Sequence, residues 1–401
     1  MISLLLPKIL VYRQISNVVT IINASHIMNI MMSFDFNSKP LLIFWETTKA
    51  CGLKCEHCRA SAILEALPGE MNYDQSIEFL SHIREFGKPY PIVILTGGDM
   101  LRKQRIWEIM DYLRSREIPF SVSPAVTDLL NDESISRFKE YGVSSVSISL
   151  DGMKAVHEKV RGIDGVFDST VKAIERIIDE NLPMQINTVV MRSTVMDLPD
   201  VLKLILDKGV KVWEVFFLIR TGRGIDREDL TPEEYEDVNK FLLFATGYGV
   251  RIRTVESPIF RRITMQYSGE GELNGGDLFD LLKRRAIDLI GHPAKDHSRS
   301  VIPTRDGYGI IFVGHDGEVY PSGFLPYSVG NVKERSIVDI YRNSELLMRI
   351  RDPDNLNGKC GKCRFRNICG GSRARAYAYT GDPFAADPSC IYEPDTDPIT
   401  A

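Results

Sequence analysis

From residue 41 onward, short unbroken apolar runs alternate with segments whose apolar residues recur at helical spacing. Residues 41–46 (LLIFWE), 91–95 (PIVIL), 120–123 (FSVS), 145–150 (SVSISL), 184–190 (MQINTVV) and 212–218 (VWEVFFL) have the length and composition of buried strands. Between them lie helix signals. Asn72 with Gln75 three positions on forms a capping box, Asn131 and Asp197 open two further segments, and Thr231-Pro232 with Glu234 combines an N-cap, a first-turn proline and a capping box. A helix is also expected near 103–116. Residues 168–181 place Val171, Ile174, Ile177 and Ile178 on one helical face. Six strand–helix units with buried strands predict an α/β fold on a parallel sheet. Periodicity alone leaves two windings open, a doubly wound open sheet and a full or partial barrel. In either, ligands bind at the C-terminal strand ends, where the 51–58 loop, Gly97-Gly98-Asp99, Ser123, Asp151 and the 221–224 loop fall.

After about residue 250 the alternation is expected to stop. Residues 269–276 are glycine-rich and read as a loop. Residues 308–313 and 315–320 predict a hairpin turned at Asp316-Gly317, and a helix follows near 337–349. The expected organisation is an N-terminal extension at 1–40, an α/β core at 41–250, an irregular linker at 251–304 and a small C-terminal domain at 305–401. Residues 1–33 carry only Lys8 and Arg13 as charges, but polar residues interrupt them and no run approaches the roughly 18 apolar residues of a membrane span. The Leu4-Leu5-Leu6 run stops at Pro7, unlike a signal peptide, and translation from Met28, Met31 or Met32 is an alternative start. This segment is expected to be peripheral or disordered.

The charge balance, 49 basic against 54 acidic residues, gives no global nucleic-acid footprint. An odd count of seven cysteines in a chain of 401 residues argues against a disulfide framework and for a cytoplasmic protein. Those cysteines are not scattered as core hydrophobes would be. Cys51, Cys55 and Cys58 form one group; Cys360, Cys363, Cys369 and Cys390 form another. Three thiolates leave a metal position open for a substrate, whereas four close it. Iron–sulfur clusters and zinc both suit such ligands, and His57 is a possible fourth ligand for zinc at the first group.

The Cys51-x3-Cys55-x2-Cys58 spacing after the first strand resembles the radical S-adenosylmethionine (radical SAM) enzymes. The resemblance runs over roughly 41–250. It implies a partial (β/α)6 barrel and a 4Fe–4S cluster, held by these three catalytic cysteines, whose open iron binds SAM. It also implies reductive cleavage of SAM to a 5′-deoxyadenosyl radical that abstracts a substrate hydrogen. Gly97-Gly98-Asp99 is similar to the family's Gly-Gly-Glu motif, with Asp99 in place of glutamate and Met100 in place of a common proline. Ser147, Ser149 and Asp151, with Ser123 at a matching level, resemble a ribose-contacting pattern. His157-x3-Arg161-Gly162 resembles a motif whose arginine lies near the SAM carboxylate. Asn187 is a further SAM candidate, and Phe217 and Leu218 are candidates for flanking adenine. His57 stands where a large aromatic is common, with packing and a cluster-side hydrogen bond its expected roles.

The C-terminal cysteines resemble the SPASM auxiliary-cluster domain, over 305–393. Ser322 and Arg373 stand at two of its usual cysteine positions, so one auxiliary 4Fe–4S cluster is expected, with structural zinc as the alternative. Within that subgroup, Thr221-Gly222-Arg223-Gly224 and residues 369–378 resemble tetrapyrrole-modifying members of the heme-synthase type, which decarboxylate the propionates of Fe-coproporphyrin III. On that reading Arg220, Arg223, Arg261, Arg262, Arg373 and Arg375 are candidates for pairing with propionates. His292, His297 and His315 are candidates for a substrate iron. A low-potential electron donor is implied. The alternatives are a peptide-modifying maturase of the same subgroup, an iron–sulfur electron carrier and a zinc-stabilised binding module.

Overall fold

The computed structural model describes residues 35–267, 273–294 and 303–394, within the unit Phe34–Ala401. The expectations for residues 1–33, for His297 and for the first half of the 269–276 loop fall outside the described residues.

Seven parallel strands follow one another around the sheet in chain order: β1 Leu42–Glu46, β2 Ile92–Thr96, β3 Phe120–Val122, β4 Val146–Ser149, β5 Met184–Val190, β6 Val212–Phe217 and β7 Arg251–Val255. A doubly wound sheet reverses its order at a switch point, and this one does not. The winding is therefore that of a barrel, and it stays open because β7 is an edge of the sheet. Helices return the chain between strands: α1 Tyr73–Ser81, α2 Ile106–Ser115, α3 Asp132–Glu140, α4 Lys154–Arg161, α5 Val166–Asp179, α6 Leu198–Asp207 and α7 Pro232–Ala245. Complete capping boxes start α1 at Asn72, α3 at Asn131 and α7 at Thr231.

Strand alternation separates two faces. Trp45, Val93, Leu95, Val122, Ile148, Ile186 and Trp213 are wholly buried in the same core as Ile109, Ile174, Leu202 and Phe241 of the helices. Each such side chain contributes about 1.5–3 kcal/mol by burial. The other face carries Glu46, Ser147, Ser149, Asn187 and Glu214 among apolar Phe44, Ile92, Ile94 and Phe216, which leaves a concave surface of mixed character.

The sheet runs one strand further than the sequence pattern suggested. In β7 the sequence Arg-Ile-Arg-Thr-Val alternates, with both arginines exposed and Ile252 buried, so it lacks the apolar run of the earlier strands. Helices α8 Ile259–Gln266 and α9 Asp277–Ile290 follow. The C-terminal hairpin, β8 Ile310–Val313 and β9 Glu318–Tyr320, joins the same sheet: β8 pairs in parallel with β1, placing Phe312 opposite Phe44, and β10 Gly330–Asn331 forms the far edge. The last third of the chain adds α10 Ile337–Asn343, α11 Glu345–Arg351, α12 Gly358–Lys362 and α13 Arg373–Thr380. No helix among the described residues is long and apolar enough to cross a membrane.

Candidate active site

Cys51, Cys55 and Cys58 lie on the loop that leaves β1, and three other segments, two at strand ends and one at a helix end, dock on that loop through backbone contacts. After β2, Gly98 N–H donates to Thr48 O and Asp99 N–H to Ala50 O, both at 2.7 Å. A Cβ on Gly98 would lie 2.5 Å from Ala50 O, so only glycine admits this approach. At the end of α4, Arg161 O accepts from Lys54 N–H and Val160 O from Glu56 N–H. After β6, Arg223 N–H donates to Cys58 O at 3.0 Å, and the Arg223 side chain donates to Cys55 O and Ala62 O, each at 2.8 Å. Gly222 has φ +55°, and a Cβ there would fall 2.3 Å from Arg59 O.

Beneath Cys55 sits a buried polar cluster. Arg161 extends Nη1 to Cys55 Sγ at 3.6 Å and Nη2 to Asp151 Oδ2 at 2.7 Å. Asp151 has no exposed surface and accepts the Val189 N–H on its other oxygen. Burial alone would raise its pKa, but Arg161 overrides this and holds the carboxyl below its ordinary value. The Asp151 N–H donates to His157 Nδ1, which leaves Nε2–H of a neutral ring to meet Thr170 Oγ1; burial holds His157 down at about 4. His57 Nε2 lies 3.9 Å from Asp151, and burial holds this ring at about 4 as well. Three further buried atoms around Cys55 have no hydrogen-bond partner: His57 Nδ1, Arg161 Nε and Arg223 Nη2. Such atoms are costly unless a polar ligand meets them.

Ser149 and Arg161 line a cavity of about 230 Å³ with Leu53, Ala125 and His157. Asn187 stands beside Ser149 in register on the concave face, with its oxygen held by Gln185. Ser123 lies one residue past β3, its N–H on Leu95 O. The Asp99 carboxylate is fully buried, accepting from Thr127 Oγ1 at 2.7 Å and Leu101 N–H at 3.2 Å. Phe217 and Leu218 are both buried: Phe217 stacks on Tyr235, and Leu218 accepts from Arg375.

Two features of this face were not anticipated from sequence. The Asn187 row continues in register through Glu214 to the exposed Arg253. Burial raises the Glu214 carboxyl while Arg253 opposes it. Glu46, at the end of β1, takes Arg59 Nη2 at 2.6 Å and His315 Nδ1 at 3.0 Å. Burial works against its charge, yet these two partners bring its pKa down to about 2. A glutamate ending an apolar strand was the available signal.

The four C-terminal cysteines wall one cavity of about 350 Å³, together with Arg262, Lys359, Gly370 and Gly371. Four thiols around one space are a closed ligand set for a metal centre. Burial raises the Cys369 thiol to about 12 and the Cys390 thiol to about 11, so neither is a thiolate without a metal centre to hold it. All seven cysteines are free.

The radical SAM superfamily profile matches residues 45–205, and that of an iron-sulfur cluster-binding domain, SPASM, matches residues 305–364. The AdoMet-dependent heme synthase of Methanosarcina barkeri is 32% identical over 359 residues, covering 88% of this chain and 97% of that protein. The chain belongs to the radical SAM superfamily. A second AdoMet-dependent heme synthase, from Nitratidesulfovibrio vulgaris, is 34% identical over 88% of this chain and 92% of its own length. Streptococcus suis SuiB bound to S-adenosylmethionine superposes with a TM-score of 0.64 at 14% identity, over 88% of this chain and 78% of that one, a likeness of fold. This radical SAM enzyme takes a 4Fe–4S cluster and SAM in its core and auxiliary iron–sulfur in its SPASM domain. The unsatisfied polar atoms at Cys55 and the four-sulfur cage fit those groups.

Most of the arginines expected to meet substrate carboxylates do other work. Arg261, Arg262, Arg373 and Arg375 are buried, and Arg223 is half-buried. Arg223 clamps the cysteine loop, and Arg262 pairs with Glu236. Arg375 donates to Glu256 O and Leu218 O, while Arg261 and Arg373 also donate to backbone carbonyls. Arg220 alone of the six is exposed, over the Tyr379 ring at 5.7 Å. His315 is oriented by Glu46, and His292 is exposed just past α9.

Proposed function

We propose that this radical SAM enzyme modifies a tetrapyrrole, removing carboxyl groups from propionate side chains as in heme formation. The observation that carries this reading is its likeness, over nearly the whole of each chain, to AdoMet-dependent heme synthases. When bound, the cluster and SAM supply a 5′-deoxyadenosyl radical that takes a hydrogen from the substrate. The chain's own residues build the pocket around that event. Arg161 and Asp151 fix Cys55, Ser149 and Asn187 present polar groups beside it, and the concave face offers Glu214 and Arg253 in register. Exposed Arg220 and Arg253 can pair with propionates, since guanidinium forks suit carboxylates. A low-potential protein donor would supply the electron for SAM cleavage. The net charge of −5 suits no nucleic-acid partner, and seven free thiols suit a reducing compartment such as the cytoplasm.

The test is anaerobic incubation of the reconstituted enzyme with SAM, a reductant and Fe-coproporphyrin III, followed by mass analysis. Stepwise loss of carboxyl groups is expected. SAM cleavage with an unchanged porphyrin would overturn the reading and direct attention to peptide substrates.

A further inference from the structure

Two arginines beside the C-terminal cysteines are buried without a carboxylate partner. Arg373 is 1% exposed. Its Nε donates to Gly371 O at 3.3 Å, its Nη1 to Pro383 O at 3.0 Å and Ala385 O at 2.7 Å, and its Nη2 faces Cys360 Sγ at 3.9 Å. Arg261 donates to Thr304 O and, at 3.3 Å, to the carbonyl of Ile368, the residue that precedes Cys369. Among the described residues neither guanidinium has a carboxylate at ion-pair distance. Arg375, on the same helix as Arg373, is different: it lies 3.8 Å from Asp387 and over the Tyr235 ring. The backbone is shaped around the Arg373 contact. Gly371 has φ +66°, and a Cβ there would fall 2.5 Å from Arg373 Nη2 and 3.2 Å from Cys360 Sγ.

A buried cation held only by carbonyl dipoles is strongly destabilising unless an anion joins it. A 4Fe–4S cluster on four thiolates is that anion, and it gains a further negative charge on reduction. We infer that Arg373, with Arg261 on the Cys369 side, is the built-in counter-charge of the auxiliary cluster and sets its reduction potential upward. A fixed cation against a ligand sulfur favours the more negative, reduced state over the oxidised one. The position therefore serves the cluster by charge, where a cysteine would serve it by ligation. The inference rests on the cofactor assignment and is independent of which substrate the enzyme takes.

Arg373→Met and Arg373→Lys, made in the full chain and reconstituted anaerobically, separate charge from shape. Redox titration followed by EPR, with SAM added to mark the radical cluster's signal, reads the auxiliary potential directly. In Arg373→Met the reduction equilibrium should fall at least tenfold, 59 mV more negative for a one-electron couple. Arg373→Lys should stay nearer the parent. A methionine variant that loads and titrates at the parent potential overturns the inference. Should methionine prevent loading, iron content decides: restored loading with lysine supports the counter-charge. A lysine variant that folds but is as unloaded as the methionine one overturns it in favour of shape.

Discussion

Replacing Arg161 with methionine removes the guanidinium that joins Cys55 to Asp151. Asp151 then keeps the Val189 N–H and a histidine at 3.9 Å, in a place with no exposed surface. Breaking one side of such a buried pair costs about 3–5 kcal/mol, a large part of the about 5–15 kcal/mol by which a domain is stable. The pH dependence carries the signature. In the parent, Arg161 holds the Asp151 pKa below its ordinary value against burial, so the carboxylate contributes stability above its unfolded pKa and loses it as pH falls. In Arg161→Met the largest group opposing burial is gone, and burial, set only against the Val189 N–H and the neighbouring histidines, raises the folded pKa. The variant is then penalised most at high pH, and the gap from the parent narrows as pH falls toward 5. Urea denaturation of metal-free protein under reducing conditions, from pH 8 to pH 5, measures this. Arg161→Met with Asp151→Asn should cost less than Arg161→Met alone, because no orphaned charge remains. A gap below about 1 kcal/mol at pH 8, or one that does not change with pH, would show that the pair is not the buried charge bridge described here.

Cys55→Ala should abolish 5′-deoxyadenosine formation from SAM while the auxiliary cluster still loads; retained cleavage, read by chromatography, would remove Cys55 from the open site. Gly222→Ala drives a Cβ to 2.3 Å from Arg59 O, so the cysteine loop must shift and iron per chain should drop to about half, with the auxiliary share kept. Glu46→Gln removes a carboxylate held at about 2, worth about 3 kcal/mol at neutral pH. The parent's stability from this group is complete above about 4.5 and lost as pH falls toward 2, so the acid limb of its denaturation curve should flatten in the variant. Cys363→Ala should spare some SAM cleavage and lower product formation; unchanged turnover would make the second cluster structural only.

The strands, the capping boxes and the two cysteine groups could be read from sequence because each is a local pattern. Strand six, for instance, needs only VWEVFF to declare itself. Periodicity alone did not give the winding, since neighbouring strands in an open sheet and in a barrel have the same composition and differ in order; the partial barrel came from the resemblance carried by the cysteine motif, and the strand order agrees with it. Strand seven was hidden because exposed Arg251 and Arg253 break its apolar run. The arginines misled for a related reason: a guanidinium advertises affinity for carboxylates, but only the fold shows whether backbone carbonyls already occupy it, as at Arg223 and Arg373. The Glu46–His315 contact joins residues 269 apart, beyond any local signal.

The two metal sites are held by opposite physical means. At the open site, positions at Gly98, Gly162 and Gly222 let three segments press their backbones onto the cysteine loop, and a Cβ at any of them would fall 3.0 Å or less from that loop's carbonyls. Backbone hydrogen bonds need no metal, so the geometry of Cys51, Cys55 and Cys58 is set before a cluster arrives. That suits a centre whose remaining iron must meet SAM in one orientation. The closed site instead gathers thiols that burial raises to about 12 and about 11 beside guanidiniums that lack carboxylates. Neither partner is comfortable alone, and the negatively charged cluster resolves both at once. The first site is preorganised by shape and the second is completed by charge, so order in the C-terminal region should depend on loading far more than order at the cysteine loop does.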